Sequence, residues 1–154
     1  MKKEISVYSN DNLLVMSFFD SRLFKSGSVQ QIVIEMKLLI TQNSFQGEKE
    51  IRFELFDLEE LIKDLTKIIE KNLKSCCFNP TLDPTIEIRF EKVDIEHTLV
   101  KTKMFDDLYK CKLEIEFVIG RYQVEALIEQ ISSFFIMNGN RFESGTGKCL
   151  CQNM

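Results

Sequence analysis

The stretch Tyr109–Ile119 reads YKCKLEIEFVI, and its alternation decides the fold class. Tyr109, Cys111, Leu113, Ile115, Phe117 and Ile119 fall on one side, and Lys110, Lys112, Glu114 and Glu116 on the other. A period of two residues is that of a strand with one buried and one wet face. The same alternation places Ile86, Ile88 and Phe90 inward, with Glu87, Arg89 and Glu91 outward. Ile32, Ile34, Met36, Leu38 and Ile40 form another such row, and Ile51, Phe53 and Leu55 a further one. Strands are also expected around Leu13–Phe19 and from Asp94 to Met104. Wet outer faces mark antiparallel sheets and disfavour the doubly covered parallel sheets of nucleotide-binding folds.

Two helices are predicted between these strands. The first runs from about Asp57, read as the N-cap, to Leu73, with Leu58, Leu61, Ile62, Leu65, Ile68 and Ile69 on one stripe. The second runs from about Arg121 to Ile136, with Val124, Leu127, Ile128, Ile131, Phe134 and Phe135 in the equivalent places. The stripes superpose at an offset of 66 residues, while the polar residues between them do not repeat. Each helix follows an alternating strand, so a strand-then-helix unit occurs twice. The expected class is α+β: a mainly antiparallel sheet of about six to seven strands, with two amphipathic helices on its apolar face. Residues 1–137 form this single domain, and residues 138–154, rich in Gly and Asn, are read as a flexible tail.

Composition narrows the function classes. The chain has 154 residues and a formal charge of −4, which gives no support to nucleic-acid or anionic-membrane binding. Between Glu48 and Asp64 seven acids face three bases, and between Asp83 and Glu96 five face two, whereas Lys101–Lys112 carries a net +2. Five cysteines without a CxxC spacing read as reduced thiols of a cytoplasmic protein. No apolar run approaches the ~18 residues of a membrane span.

Motifs that carry chemistry are absent or misplaced. GTGK at Gly145–Lys148 resembles part of a phosphate loop, but Phe142 stands where the first glycine belongs and Cys149 where the hydroxyl belongs. Cys76 and Cys77 with Cys149 and Cys151 have poor zinc spacing. His97 is the only histidine, and Cys111, on the apolar row, is expected to point into the core. Asp106-Asp107 reads as a turn between strands. No enzyme, cofactor or metal is therefore expected. In Phe18-Phe19 and Phe134-Phe135 one ring of each pair can enter the core, and a ring left outside would either anchor a partner or be covered by the termini.

The segments IRFELFDLEELIKDLTKIIE (51–70), FNPTLDPTIEIRFE (78–91) and LEIEFVIGRYQVEALIEQI (113–131) resemble the immunity proteins paired with WapA-type contact-dependent bacterial toxins. The resemblance spans about residues 51–135 and implies a non-catalytic cytoplasmic protein that neutralises a cognate toxin domain. The resemblance supplies no site residues. The outward charges themselves place the expected contact surface on Glu87, Arg89, Glu91, Glu114 and Glu116, with Glu59, Glu60 and Asp64 of the first helix. The same residues also suit a plain solvated face. Neither nucleic acid nor membrane is an expected partner. The alternative is a homo-oligomeric scaffold or small-molecule-binding module, with a homodimer formed through an exposed strand edge.

Overall fold

In the computed structural model, residues 3–9, 12–26, 29–108 and 110–146 are described. The chain runs β1 (Lys3–Ser9), β2 (Asn12–Ser26), β3 (Val29–Gln42), β4 (Phe45–Glu54), α1 (Leu55–Glu70), β5 (Ser75–Phe78), β6 (Ile86–Lys92), β7 (His97–Phe105), β8 (Lys112–Gly120) and α2 (Arg121–Thr146). The strands form two four-stranded sheets, ordered β1-β2-β3-β4 and β5-β6-β7-β8, with every neighbouring pair antiparallel. The expected α+β antiparallel class is present, but as two sheets, each followed directly by a helix.

The strand-then-helix repeat is thus half of a larger one: four strands and a helix, twice. Two strands were not anticipated. In β1, Ile5 and Val7 face the core, and in β5, Cys76 and Phe78 do. Both are short, and β5 carries a single alternation. β7 starts at His97 rather than Asp94, because Val93 and Asp94 turn the chain by donating their N–H groups to the His97 carbonyl.

One apolar cluster joins both sheets and both helices. Leu58, Leu61, Leu65 and Ile68 of α1 are buried in it with Val124, Leu127 and Ile131 of α2. Ile62, Ile69 and Ile128 pack at its margin. Each helix packs on both sheets: α1 lies against β3 and β4 of the first and β5 of the second, and α2 against β1 of the first and β7 and β8 of the second.

The helix starts repeat in a way the residue types conceal. Asp57 is the third helical residue rather than the N-cap, and its Oδ2 accepts the N–H of Glu54 at 2.9 Å. Gln123, 66 residues later, uses Oε1 to accept the N–H of Gly120 at 2.8 Å. Each caps the strand-to-helix corner from inside the first turn. α1 ends at Glu70, earlier than expected, because Asn72 takes a left-handed φ of 54° while Lys71 and Leu73 both donate to the Lys67 carbonyl. α2 extends to Thr146, past the expected limit at Ile136, since adding turns to a formed helix costs little even across Gly139. Gly145 and Thr146 thus end a helix, whereas a phosphate loop precedes one; Gly147, Lys148, Cys149 and Cys151 lie outside the described residues, as do the side chains of Phe18, Phe19, Phe134 and Phe135.

Candidate functional site

The outer face of the second sheet gathers the charged residues that the sequence singles out. β6 contributes Glu87, Arg89 and Glu91, and β8 contributes Glu114 and Glu116. β7 lies between them, and its outward row is Leu99, Lys101, Lys103 and Phe105. The register sets Lys103 between Glu87 and Glu114, and Lys101 between Arg89 and Glu116. Four acids (Glu87, Glu91, Glu114, Glu116) therefore meet four bases (Arg89, Lys101, Lys103, Lys112). The face is neutral overall, with a basic middle strand. The signal in the sequence was the positive Lys101–Lys112 segment, whose outward alternation places the lysines on this face.

The pairs are short and partly exposed. Arg89 Nη2 lies 3.0 Å from Glu87 Oε1, and Lys101 Nζ 3.3 Å from Glu91 Oε1. Lys103 and Lys112 reach Glu114 at 3.6 and 3.3 Å. Lys112, with Lys103 behind it, holds the Glu114 carboxyl below the usual range, and Arg89 does the same for Glu87. Lys112 Nζ also lies 5.9 Å from the Phe105 ring centroid. At the other end of the row, Leu99 pairs with Val118, which is exposed.

Glu59, Glu60 and Asp64 do not join this face. Cys77 projects outward and donates its thiol to Glu87 Oε1 at 3.5 Å, while its neighbour Cys76 is buried on the opposite side, where the charge of Asp64 acts on it. α1 and its acids thus stand across β5 from Glu87. Burial, assisted by these carboxylates, pushes the Cys76 thiol up to about 12 and that of Cys77 to about 11.

A cavity of about 440 Å³ opens where β4 of the first sheet meets the β7–β8 hairpin. At its wall, Lys49 Nζ donates to Thr85 Oγ1 at 2.6 Å, to the Phe105 carbonyl at 3.1 Å and to Asp107 Oδ1 at 2.7 Å. Asp106 and Asp107 do form the expected turn, in which Asp106 Oδ1 accepts the Cys111 N–H at 2.7 Å. Cys111 lies in this turn, before β8 begins, and is exposed rather than buried in the core. His97 is also exposed, with Nδ1 2.9 Å from Asp94 Oδ1. Among the described residues no group of His, Cys, Asp and Glu is arranged to hold a metal, and no helix is long and apolar enough to cross a membrane.

Sheet edges are partly covered by amide side chains. Gln130 of α2 bonds both backbone groups of Ser6 in β1, each at 2.9 Å, and Gln123 Nε2 donates to the Tyr8 carbonyl. Gln42 Nε2 donates to the Glu116 carbonyl on β8 at 2.8 Å. These contacts occupy edge groups that a second copy would need for strand pairing.

No family model and no curated protein matches the chain. Its architecture is similar to that of the plant transcriptional regulator PBF-2, with a TM-score of 0.52 over 90% of this chain and 81% of that one, at 11% identity. It is similar also to WHY1 from Arabidopsis thaliana, with a TM-score of 0.52 over 88% of each chain, at 10% identity. At such identities the likeness is one of fold. It overturns the expectation of a toxin-neutralising protein that excludes nucleic acid, because the solved fold that spans 90% of this chain is that of a transcriptional regulator.

Proposed function

We propose that this chain is a non-catalytic binder of single-stranded nucleic acid, with the strand lying across the outer face of the second sheet. The observation that carries this reading is the outward row of β7, where Lys101 and Lys103 stand between the apolar side chains of Leu99 and Phe105. Single strands are held by cations that track the backbone and by flat side chains on which bases stack. Phe105, with Lys112 beside it, supplies the second element.

The likeness to a transcriptional regulator supports the same ligand class. A duplex is less well served. α1 carries five acids (Asp57, Glu59, Glu60, Asp64, Glu70) against two bases (Lys63, Lys67), so it offers no basic helix to a major groove. Free thiols at Cys76, Cys77 and Cys111 support a reducing, cytosolic setting.

The test is fluorescence anisotropy of the full chain with a labelled single strand of about 20 nucleotides and with its duplex, at low and moderate salt. Binding is expected to favour the single strand, to weaken with salt, and to fall about tenfold or more when Lys101 and Lys103 are both changed to Glu. Absence of binding at low salt, or binding indifferent to that double substitution, sinks the proposal.

A further inference from the structure

On the same face, Lys101, Lys103, Glu114 and Glu116 surround a cavity of about 350 Å³, which Gln42, Thr102 and Ile115 complete. The register sets Lys101 opposite Glu116 and Lys103 opposite Glu114. Lys103 does reach Glu114, at 3.6 Å, but Lys101 turns the other way, to Glu91 at 3.3 Å. Among the described residues the Glu116 carboxylate is left without an ion pair or hydrogen bond, while its backbone carbonyl is anchored by Gln42. An unpaired carboxylate and the Lys103 ammonium therefore share one cavity, with the stem of Lys101 along its wall.

We propose that this cavity is a nucleobase subsite that prefers guanine, an inference that rests on the binding reading above. The Watson–Crick edge of guanine sets two adjacent donors, N1–H and the N2 amine, beside the acceptor O6. A carboxylate accepts both donors side by side, as Glu116 is free to do, and the ammonium of Lys103 donates to O6. Thymine offers one ring N–H between two acceptors, which leaves one carboxylate oxygen facing an acceptor. Cytosine and adenine each offer a single amine. In a duplex this edge is already occupied by the paired base, so only an unpaired guanine fits.

The experiment measures anisotropy for short oligothymidylate strands that carry one central guanine, hypoxanthine, adenine or cytosine, against the all-thymine strand. Hypoxanthine is guanine without the 2-amino group. The guanine strand is expected to bind about tenfold more tightly than the all-thymine strand, with hypoxanthine between them. Glu116→Gln is expected to abolish the preference, so that the guanine and all-thymine strands bind this variant alike. Glu116 is exposed on its strand, so this variant keeps the fold, and a thermal melt checks that. Equal affinity for all strands in the unmodified protein overturns the subsite and leaves the binding reading standing. A guanine preference that survives Glu116→Gln also overturns it. If no strand binds even at low salt, the binding reading falls and the subsite with it.

Discussion

Gly47 of β4 lies against Leu113 of β8 so closely that a Cβ on Gly47 would stand 2.3 Å from Leu113 Cδ2. This contact lets the two sheets meet, with Met104 Sδ as the next neighbour at 3.3 Å. Gly47→Ala has only the flexible ends of Leu113 and Met104 to push aside, so it is expected to destabilise the fold by about 1 kcal/mol or less. Chemical denaturation checks it, and the double variant Gly47→Ala, Leu113→Ala should cost less than the sum of the two single changes. Strict additivity would show that the close approach is not what constrains residue 47.

Lys49 ties β4 to the second sheet through three acceptors, and only 14% of its side chain is exposed, against 88% for its partner Asp107. Lys49→Met should therefore cost about 1–3 kcal/mol, because Thr85 and the Phe105 carbonyl lose a buried donor. Asp107→Asn should cost less than about 1 kcal/mol, as exposed ion pairs do. Urea titrations of the two variants give the comparison; similar losses would mean that the ion pair, and not the neutral acceptors, carries the contact.

Gln130 stands in for a neighbouring strand at β1 by bonding both the N–H and the carbonyl of Ser6. Gln130→Leu keeps the side chain's bulk and leaves both groups unpaired. The expected result is a loss of about 1–3 kcal/mol and a new tendency to associate, since an uncovered edge can pair with another copy. Denaturation and light scattering read the two effects separately.

The thiols predict a behaviour at alkaline pH. In the folded chain Cys76 and Cys77 ionise only at about 12 and about 11, against an ordinary value of 9.0. The folded values are raised, so their contribution is fully present below pH 9.0 and is lost as pH climbs from there toward about 12. Unfolded thiols then release protons that the folded ones keep. The unmodified chain should lose more stability between about pH 9 and about 11 than a variant with Ala at both positions. In a separate assay near neutral pH, mass spectrometry should find Cys111 alkylated before Cys76, because Cys111 is exposed and Cys76 is buried.

Salt dependence should identify the residues that meet phosphate. Each single-strand phosphate neutralised contributes about −0.7 to the slope of log affinity against log salt. Lys103→Gln should lower the magnitude of the slope by about one such contact. Glu114→Gln should raise affinity, because Glu114 is ion-paired with both Lys103 and Lys112. A slope unchanged by either variant would move the contact surface off β7.

Much of the fold was legible locally, because alternation and helical spacing report which side of an element is apolar without reference to anything distant. The buried rows of β3 and β6, the part of the β8 row from Ile115 onward, and Leu58, Leu61, Leu65 and Ile68 of α1 with Val124, Leu127 and Ile131 of α2 were read correctly from spacing alone. The short strands β1 and β5 escaped, since one or two alternations do not stand out from irregular chain. The shared capping role of Asp57 and Gln123 was hidden because a carboxylate and an amide perform it alike.

The sequence by itself determined an antiparallel α+β protein built on a repeated strand-and-helix unit, because period and offset are properties of the chain taken in order. Only the tertiary structure decided that the strands form two sheets, that each helix packs on both of them, and that the acids of β6 and β8 flank the lysines of β7. Pairing and register join residues far apart in sequence. A shift of one residue along β7 would have turned Lys101 and Lys103 into the core and left a different face to the solvent.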